Sequence, residues 1–379
     1  MAYLRAAYAT AFGRHDGSDP LSLMRVSAQH VLDAAGMERG AIDGLVCGYA
    51  TTLPHLMLAT RFAESFGLTP QFAQAVQMGG ATGAGMIHLA RLLVASGTCR
   101  NVLVVAGENR LTGQSRDASV QALAQVAHPQ GEVPTGATVP ACYALAAARY
   151  LHTTGAQASH LAALAVLMRH NAARTRGAHL SAPITEADVL ASRPIAEPLK
   201  LLDCCPISDG GAAVLVSAEA GSGPAVAITG AGQAHTHQHI TEAPDDLARG
   251  ARQSCAAALL EAGVTADDIG YLAIYDSFTV TLAMLLEACG ICAPGQAGKD
   301  ARAGRFDAVG DLPLNTHGGL LSYGHCGVAG AMAHISEALL QMRGMAGPRQ
   351  VAAAPTHALI HGDGGILSSH VSLVLERVA

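Results

Sequence analysis

The sequence predicts a layered α/β protein made of two similar halves, and three observations carry that prediction. Residues 35–49 and 262–276 share one plan at an offset of 227 residues: a helix end closed by glycine, a short polar connector and a buried strand. They read Ala35-Gly-Met-Glu-Arg-Gly-Ala-Ile-Asp-Gly-Leu-Val-Cys-Gly-Tyr49 and Ala262-Gly-Val-Thr-Ala-Asp-Asp-Ile-Gly-Tyr-Leu-Ala-Ile-Tyr-Asp276. Residues 83–97 and 330–344 repeat a second plan, a helix entered and ended by glycine. The strands that follow, Val102-Leu-Val-Val-Ala and Ala358-Leu-Ile-His, are near-continuous apolar runs, and the helices are rich in alanine. Strands of that kind are covered on both faces, and small side chains let helices pack closely, so the helices between the halves should form a shared inner layer.

In chain order, residues 1–109 form the first part of the N-terminal half. Residues 110–200 are too long for a connector and carry a helical pattern of their own, with Leu161, Leu164, Ala165 and Met168 on one face. The segment reads as an inserted loop or lid domain. Arg169, His170, Arg174 and Arg176 follow at its helix end. A basic helix C-terminus suits the helix dipole as a solvated face, and the alternative use of Arg169, Arg174 and Arg176 is to meet the phosphates of a ligand. Residues 201–223 complete the first half. The cluster Ala218-Glu-Ala-Gly-Ser-Gly-Pro224 reads as a linker, and 224–379 make the second half.

Composition narrows the class. Half of the 379 residues are hydrophobic, enough for one large core or two packed ones. Net charge is −6 with basic residues scattered, which argues against nucleic acid. Apolar runs are of strand length, not membrane-spanning length, and Met1-Ala-Tyr-Leu-Arg lacks signal-peptide architecture, so a cytoplasmic, membrane-free protein is expected. The nine cysteines are odd in number, without a zinc pattern, and read mostly as small buried hydrophobes, the pair Cys204-Cys205 included.

The chemistry gathers around Asn315-Thr-His-Gly-Gly-Leu-Leu-Ser-Tyr323-Gly-His325-Cys-Gly-Val-Ala-Gly330. Glycines let backbone approach a ligand closely, and an imidazole at a helix entrance is placed to donate to a developing oxyanion. Taken alone, the turn could equally be a tight strand-to-helix connection with a satisfied histidine. Together with Tyr275-Asp-Ser-Phe-Thr279, His361-Gly-Asp-Gly-Gly365, Asp203-Cys-Cys-Pro-Ile-Ser-Asp-Gly-Gly-Ala212 and the two-fold repeat, it resembles the thiolase superfamily, specifically its sterol-carrier-protein-type branch, over nearly the whole chain. The resemblance implies a thiolase fold: two αβαβαββ halves in five layers, an inserted loop domain, and an acyl-CoA thioester bound where the halves meet. It puts His325 in the place of the family's Gly-His-Pro histidine, which holds the thioester oxygen.

The departures redirect the reaction. Gly80 stands where the family's nucleophilic cysteine opens a helix, and glycine cannot be acylated. His361 stands for the second, acid/base cysteine, Asp276 for an asparagine, and Cys326 for the proline after the histidine. Cys326 is a candidate relocated nucleophile, and a small residue packed under a turn explains it equally well. What remains is a thioester pocket able to stabilise an enolate, and retro-aldol cleavage uses one without a covalent intermediate. The sequence is similar to the thiolase-like aldolases of steroid side-chain degradation, which cleave a β-hydroxyacyl-CoA with tyrosines. That similarity makes Tyr323 and Tyr275 the expected acid/base pair opening into one pocket with His325, with Asp276, His361, Gly80 and Asn315 in support.

Other routes fare worse. A Schiff-base aldolase needs a buried lysine, and the chain has only Lys200 and Lys299, neither in an apolar strand pattern. His235-Thr-His237-Gln-His239 puts three imidazoles on one extended segment, which reads better as a surface strand or loop than as a metal site. No metal and no bound cofactor are expected, with a CoA thioester as substrate. The resemblance further implies a homodimer and a small OB-fold partner bearing a zinc ribbon. The competing expectation is a catalytically silent thiolase-like subunit of an acyltransferase complex.

Overall fold

The repeat in the sequence is the repeat of the fold. A computed structural model describes residues 1–378. The first stretch runs β1 (Tyr3–Ala9), α1 (Pro20–Ala35), β2 (Gly44–Gly48), α2 (Leu58–Phe66), β3 (Phe72–Val76), α3 (Thr82–Ala95) and β4 (Asn101–Asn109). The insertion holds α4 (Arg116–Ala124), α5 (Val139–Thr154), α6 (Ala158–Ala172), α7 (Glu186–Ala191) and the small pair β5 (Pro194–Ala196) and β6 (Leu199–Lys200). Then come β7 (Asp209–Ser217), β8 (Ala225–His235), α8 (Arg249–Ala262), β9 (Tyr271–Ile274), α9 (Thr279–Ala288), α10 (Ala297–Arg302), α11 (Val328–Arg343), β10 (His357–Gly364) and β11 (Ser369–Val378).

The strands line up as β3-β2-β4-β7-β1-β8-β11-β10-β9. The N-terminal five and C-terminal four meet through one pairing, Tyr3 with Ala227. A parallel bridge from Leu272 to Leu314 supplies the counterpart of β3 beside β9 and completes the symmetry. Both α1 and α8 close on a left-handed glycine, Gly36 at φ 61° and Gly263 at φ 69°, as the paired motifs require. Helices α1 and α2 cover the outer face of the N-terminal strands, α8 and α9 that of the C-terminal strands, and α3 and α11 lie between, touching strands of both halves. That is the expected five-layer thiolase arrangement. It arises because β2, β7 and β9 are buried along their whole length, as is β4 after Asn101, and must be covered twice.

The insertion is not detached. Its helices α5 and α6 send Tyr143, Ala147, Leu161, Leu164 and Met168 into the same apolar core as Leu282, Leu285 and Leu286 of α9. Helix α11 begins at Val328, two residues before Gly330, which lies in its first turn with Leu320 so close that a Cβ would sit 2.9 Å from Leu320 Cδ2. Among the described residues no helix is long and apolar enough to cross a membrane.

Candidate active site

Loops leaving the carboxyl ends of parallel strands are where an α/β sheet collects its ligand-facing residues. Tyr49 follows β2, Arg110 follows β4, Tyr275 follows β9 and Asp363 lies near the end of β10. The other three all act electrostatically on Tyr275. The Tyr275 ring is buried and its hydroxyl meets His325 Nε2 at 3.1 Å. The backbone N–H of Gly327 donates to His325 Nδ1 at 3.2 Å, so the neutral imidazole carries its proton on Nε2 and donates it to the Tyr275 oxygen. Burial first, and the charge of Arg110 second, push the imidazole down to about 3, which keeps it neutral. Burial also raises the Tyr275 phenol well above its ordinary value, against the pull of Arg110. Tyr275 is therefore a neutral phenol that accepts from His325 and retains its own proton to give.

Gly80 makes room for that phenol. A Cβ at position 80 would fall on Cζ and Oη of Tyr275 and on the carbonyl oxygen of Asp363. The tyrosine hydroxyl fills the volume that a nucleophilic side chain at 80 would need, so the missing nucleophile and the added tyrosine are one packing solution.

His325 is aimed by the turn before it. Gly318 at φ 108° and Gly319 at φ 60° start a π-helical turn, Gly319–Tyr323, that α-helical geometry would not reach. The Asp276 carboxylate accepts from the N–H groups of Leu320 at 2.7 Å and Leu321 at 3.3 Å and pairs with His334 Nε2 at 3.0 Å. Its burial raises its carboxyl, and those donors hold it back. Asp276 is thus the buried peg on which the turn hangs. On the other side Arg169 donates from Nε to Ser322 Oγ at 3.1 Å and from Nη1 to the Ala182 carbonyl at 3.1 Å. His325 itself is held by its N–H on the Pro206 carbonyl at 3.0 Å and by its own carbonyl, which accepts from Ser208 at 3.1 Å.

Several expected site residues are held by other partners. The Tyr323 hydroxyl donates to the Thr10 carbonyl at 2.7 Å, its ring packs on Phe12, and no hydrogen bond joins it to Tyr275 or His325. His361 bonds Ser372 Oγ at 2.8 Å and His370 Nδ1 at 3.2 Å, and it shares its face of β10 with Asp363 two residues on, whose carboxyl also lies against His370. Asn315 accepts from the Ile274 N–H and donates to the Ile274 carbonyl at 2.9 and 2.7 Å, extending the edge of β9. The phosphate use of Arg169 is corrected: its guanidinium is buried and committed to the turn. Arg174 is half-buried beside Asn171, and Arg176 is exposed. Cys326 is fully buried with its thiol raised by burial, so it is packed under the turn and not a thiolate. His235, His237 and His239 face different partners: Ser369, the Ile366 carbonyl and the His128 ring.

Two residues escaped the sequence reading. Tyr49 makes no hydrogen bond through its hydroxyl among the described residues, and Arg110 is the cation beside the pair. Their signal was positional: each directly follows the carboxyl end of a buried strand. A cavity of about 470 Å³ adjoins the site, lined by Val120, Leu123, Val133, Ile240 and Ile366. Its wall includes Ile207, which bridges to His325, and Gly365, which faces Gly79.

Known proteins similar to this chain share its fold. Residues 3–220 match the thiolase N-terminal domain and residues 232–377 the thiolase C-terminal domain-like model. The chain is 32% identical to a steroid side-chain-cleaving aldolase of Thermomonospora curvata, over 97% of this chain and 96% of that protein. It is 30% identical to an acetyl-CoA acetyltransferase of Methanothermobacter thermautotrophicus, over 90% and 91%. Among solved structures, an Ltp2-ChsH2(DUF35) aldolase superposes with a TM-score of 0.84 at 29% identity, covering 99% of this chain and 97% of that one. The chain belongs to the thiolase family.

Proposed function

We propose that this protein is a carbon–carbon lyase that cleaves a β-hydroxyacyl-CoA by retro-aldol reaction, with a steroid side-chain thioester as the substrate class. The observation that carries this is the Tyr275 hydroxyl standing in the space in front of Gly80, paired with His325 at 3.1 Å. Acyl transfer by a covalent route needs a side chain at that place, and there is none. In the reaction, a base takes the proton of the β-hydroxyl and its oxygen becomes the product carbonyl. The Cα–Cβ bond breaks, its electron pair forms the thioester enolate, and the neutral Tyr275 phenol protonates the α-carbon. His325, neutral with its one hydrogen on Nε2, shares that hydrogen between the Tyr275 oxygen and the enolate oxygen. Tyr323 serves as the second proton-transfer group only if its hydroxyl leaves Thr10; Tyr49, whose hydroxyl makes no hydrogen bond among the described residues, fits that part as a relay that takes the β-hydroxyl proton while passing its own to the phenolate left on Tyr275, so that both phenols end neutral. The apolar cavity beside Ile207 and Gly365 has room for a bulky acyl group.

We further propose a homodimer and a small OB-fold zinc-ribbon partner. Strand β3 ends the sheet with one edge unpaired among the described residues and its middle residues exposed, a template for a second copy. The two-component name of the Ltp2-ChsH2(DUF35) aldolase supports a partner subunit. The test is incubation with β-hydroxyacyl-CoA esters, with and without such a partner, followed by product and intact-mass analysis. A shortened acyl-CoA plus a ketone or aldehyde, with no acyl adduct on the protein, is expected. An acyl-enzyme, or no cleavage under either condition, would favour the acyltransferase-subunit alternative.

A further inference from the structure

We propose that Arg110 is a catalytic residue of this site, the fixed positive charge that holds the anion formed when the Cα–Cβ bond breaks. The assignment rests on the reading of the pocket as a thioester site and extends it to a residue with no counterpart in the motifs. Arg110 leaves the end of β4 with its Nε donating to Thr51 Oγ1 at 3.2 Å and lying 3.7 Å from Glu108 Oε2. Glu108, however, is already occupied. Its two oxygens accept from the N–H and hydroxyl groups of both Thr51 and Thr52. That carboxylate is buried, so four donors spend most of its capacity to accept, and Arg110 is only loosely compensated.

The terminal nitrogens of Arg110 make no hydrogen bond among the described residues, and neither is sealed from solvent. A guanidinium pinned at Nε with its outer fork empty is preorganised to receive an oxygen anion. Its position is right for that: the Glu108 side chain to which it is tied packs under the turn that carries His325, where a Cβ on Gly327 would meet Glu108 Cγ at 3.3 Å. Among the described residues, the other groups around Tyr275 bring no positive charge. His325 is neutral, Cys205 and Cys326 are thiols, Tyr49 and Tyr143 are phenols, and burial holds the Asp363 carboxyl well above the usual carboxylate range. An enolate generated here therefore has Arg110 as its cation, with His325 Nε2–H as the neutral donor beside it.

The test uses binding without turnover. Two CoA derivatives are titrated into the full-length protein by calorimetry, one carrying a carboxylate where the thioester carbonyl would lie and one carrying the isosteric primary amide. The wild type should bind the carboxylate about tenfold tighter or more at neutral pH, a preference that weakens with salt. Arg110→Met should erase the preference while leaving amide binding within about threefold, and Arg110→Lys should retain much of it. Added guanidinium should restore it to Arg110→Ala, which guards against a variant that is merely misshapen. An undiminished preference in Arg110→Met, or none in the wild type, overturns the assignment. Because no carbon–carbon bond is broken in this measurement, absence of lyase activity would defeat the proposed reaction and leave the role of Arg110 to be judged on its own result.

Discussion

At the scale of single residues, the hydroxyl of Tyr275 and the imidazole of His325 are the groups whose state the fold fixes most tightly. Tyr275→Phe removes one atom and keeps the ring that fills the space before Gly80, so turnover should fall by about two to four orders of magnitude with thioester binding little changed. Steady-state kcat and KM on one substrate check this split. His325→Ala should cost roughly a hundredfold in turnover in folded protein. Tyr323→Phe is expected to differ from Tyr275→Phe: the loss of its bond to the buried Thr10 carbonyl should cost about 1–2 kcal/mol of stability, read by denaturant melting, with a much smaller effect on turnover. The pH profile follows from the depressed imidazole. His325 stays neutral down to about 3, so kcat/KM should carry no inflection from it near its ordinary pKa. Activity dependent on this ring is lost only as pH falls through that low value, where a proton on Nδ1 would oppose the Gly327 N–H. An inflection near neutrality that disappears with His325 replaced would contradict the assigned state.

At the scale of elements, the π-helical turn is the component most open to disruption. Gly319→Ala would put a Cβ onto the Asp276 carboxylate at a positive φ, and Asp276→Ala would strand the Leu320 and Leu321 N–H groups. Each should destabilise the fold by about 2–4 kcal/mol and lower activity through misplacement of His325. Melting and turnover measured together check that the two losses travel together. The sequence made this turn visible as a glycine-rich loop with a histidine, because glycine spacing and position before a helix are local properties. It did not reveal that Asp276 points away from the pocket while Tyr275 points in. Side-chain direction after β9 depends on the strand's parity against β10, and the partners of His361 depend on the register of β10 on β11, where it stands opposite Ser372. Tyr49 and Arg110 were missed because strand ends converge only when the sheet order is known, and pairing order is not a local property.

At the scale of the whole molecule, the internal repeat, the five layers and the inserted segment were all legible, because a two-fold pattern of glycine-closed helices and doubly buried strands leaves few architectures. The polar network of His361, His370, Asp363 and Tyr143 behind the site was not legible, since its members come from β10, β11 and α5, far apart in sequence. The unpaired edge of β3 carries a prediction at this scale: Ala75→Lys should shift the protein toward monomer in light scattering, whereas an unchanged mass would remove that edge from the interface. The proposed reaction assigns the space before Gly80 to a proton-transferring tyrosine and not to a nucleophile. Gly80→Ala tests it most directly, since it deletes no functional group and adds one methyl where Tyr275 Oη lies. Cleavage of a β-hydroxyacyl-CoA by folded Gly80→Ala protein should drop at least about a hundredfold, in line with Tyr275→Phe. A wild-type rate in that variant would contradict the assignment.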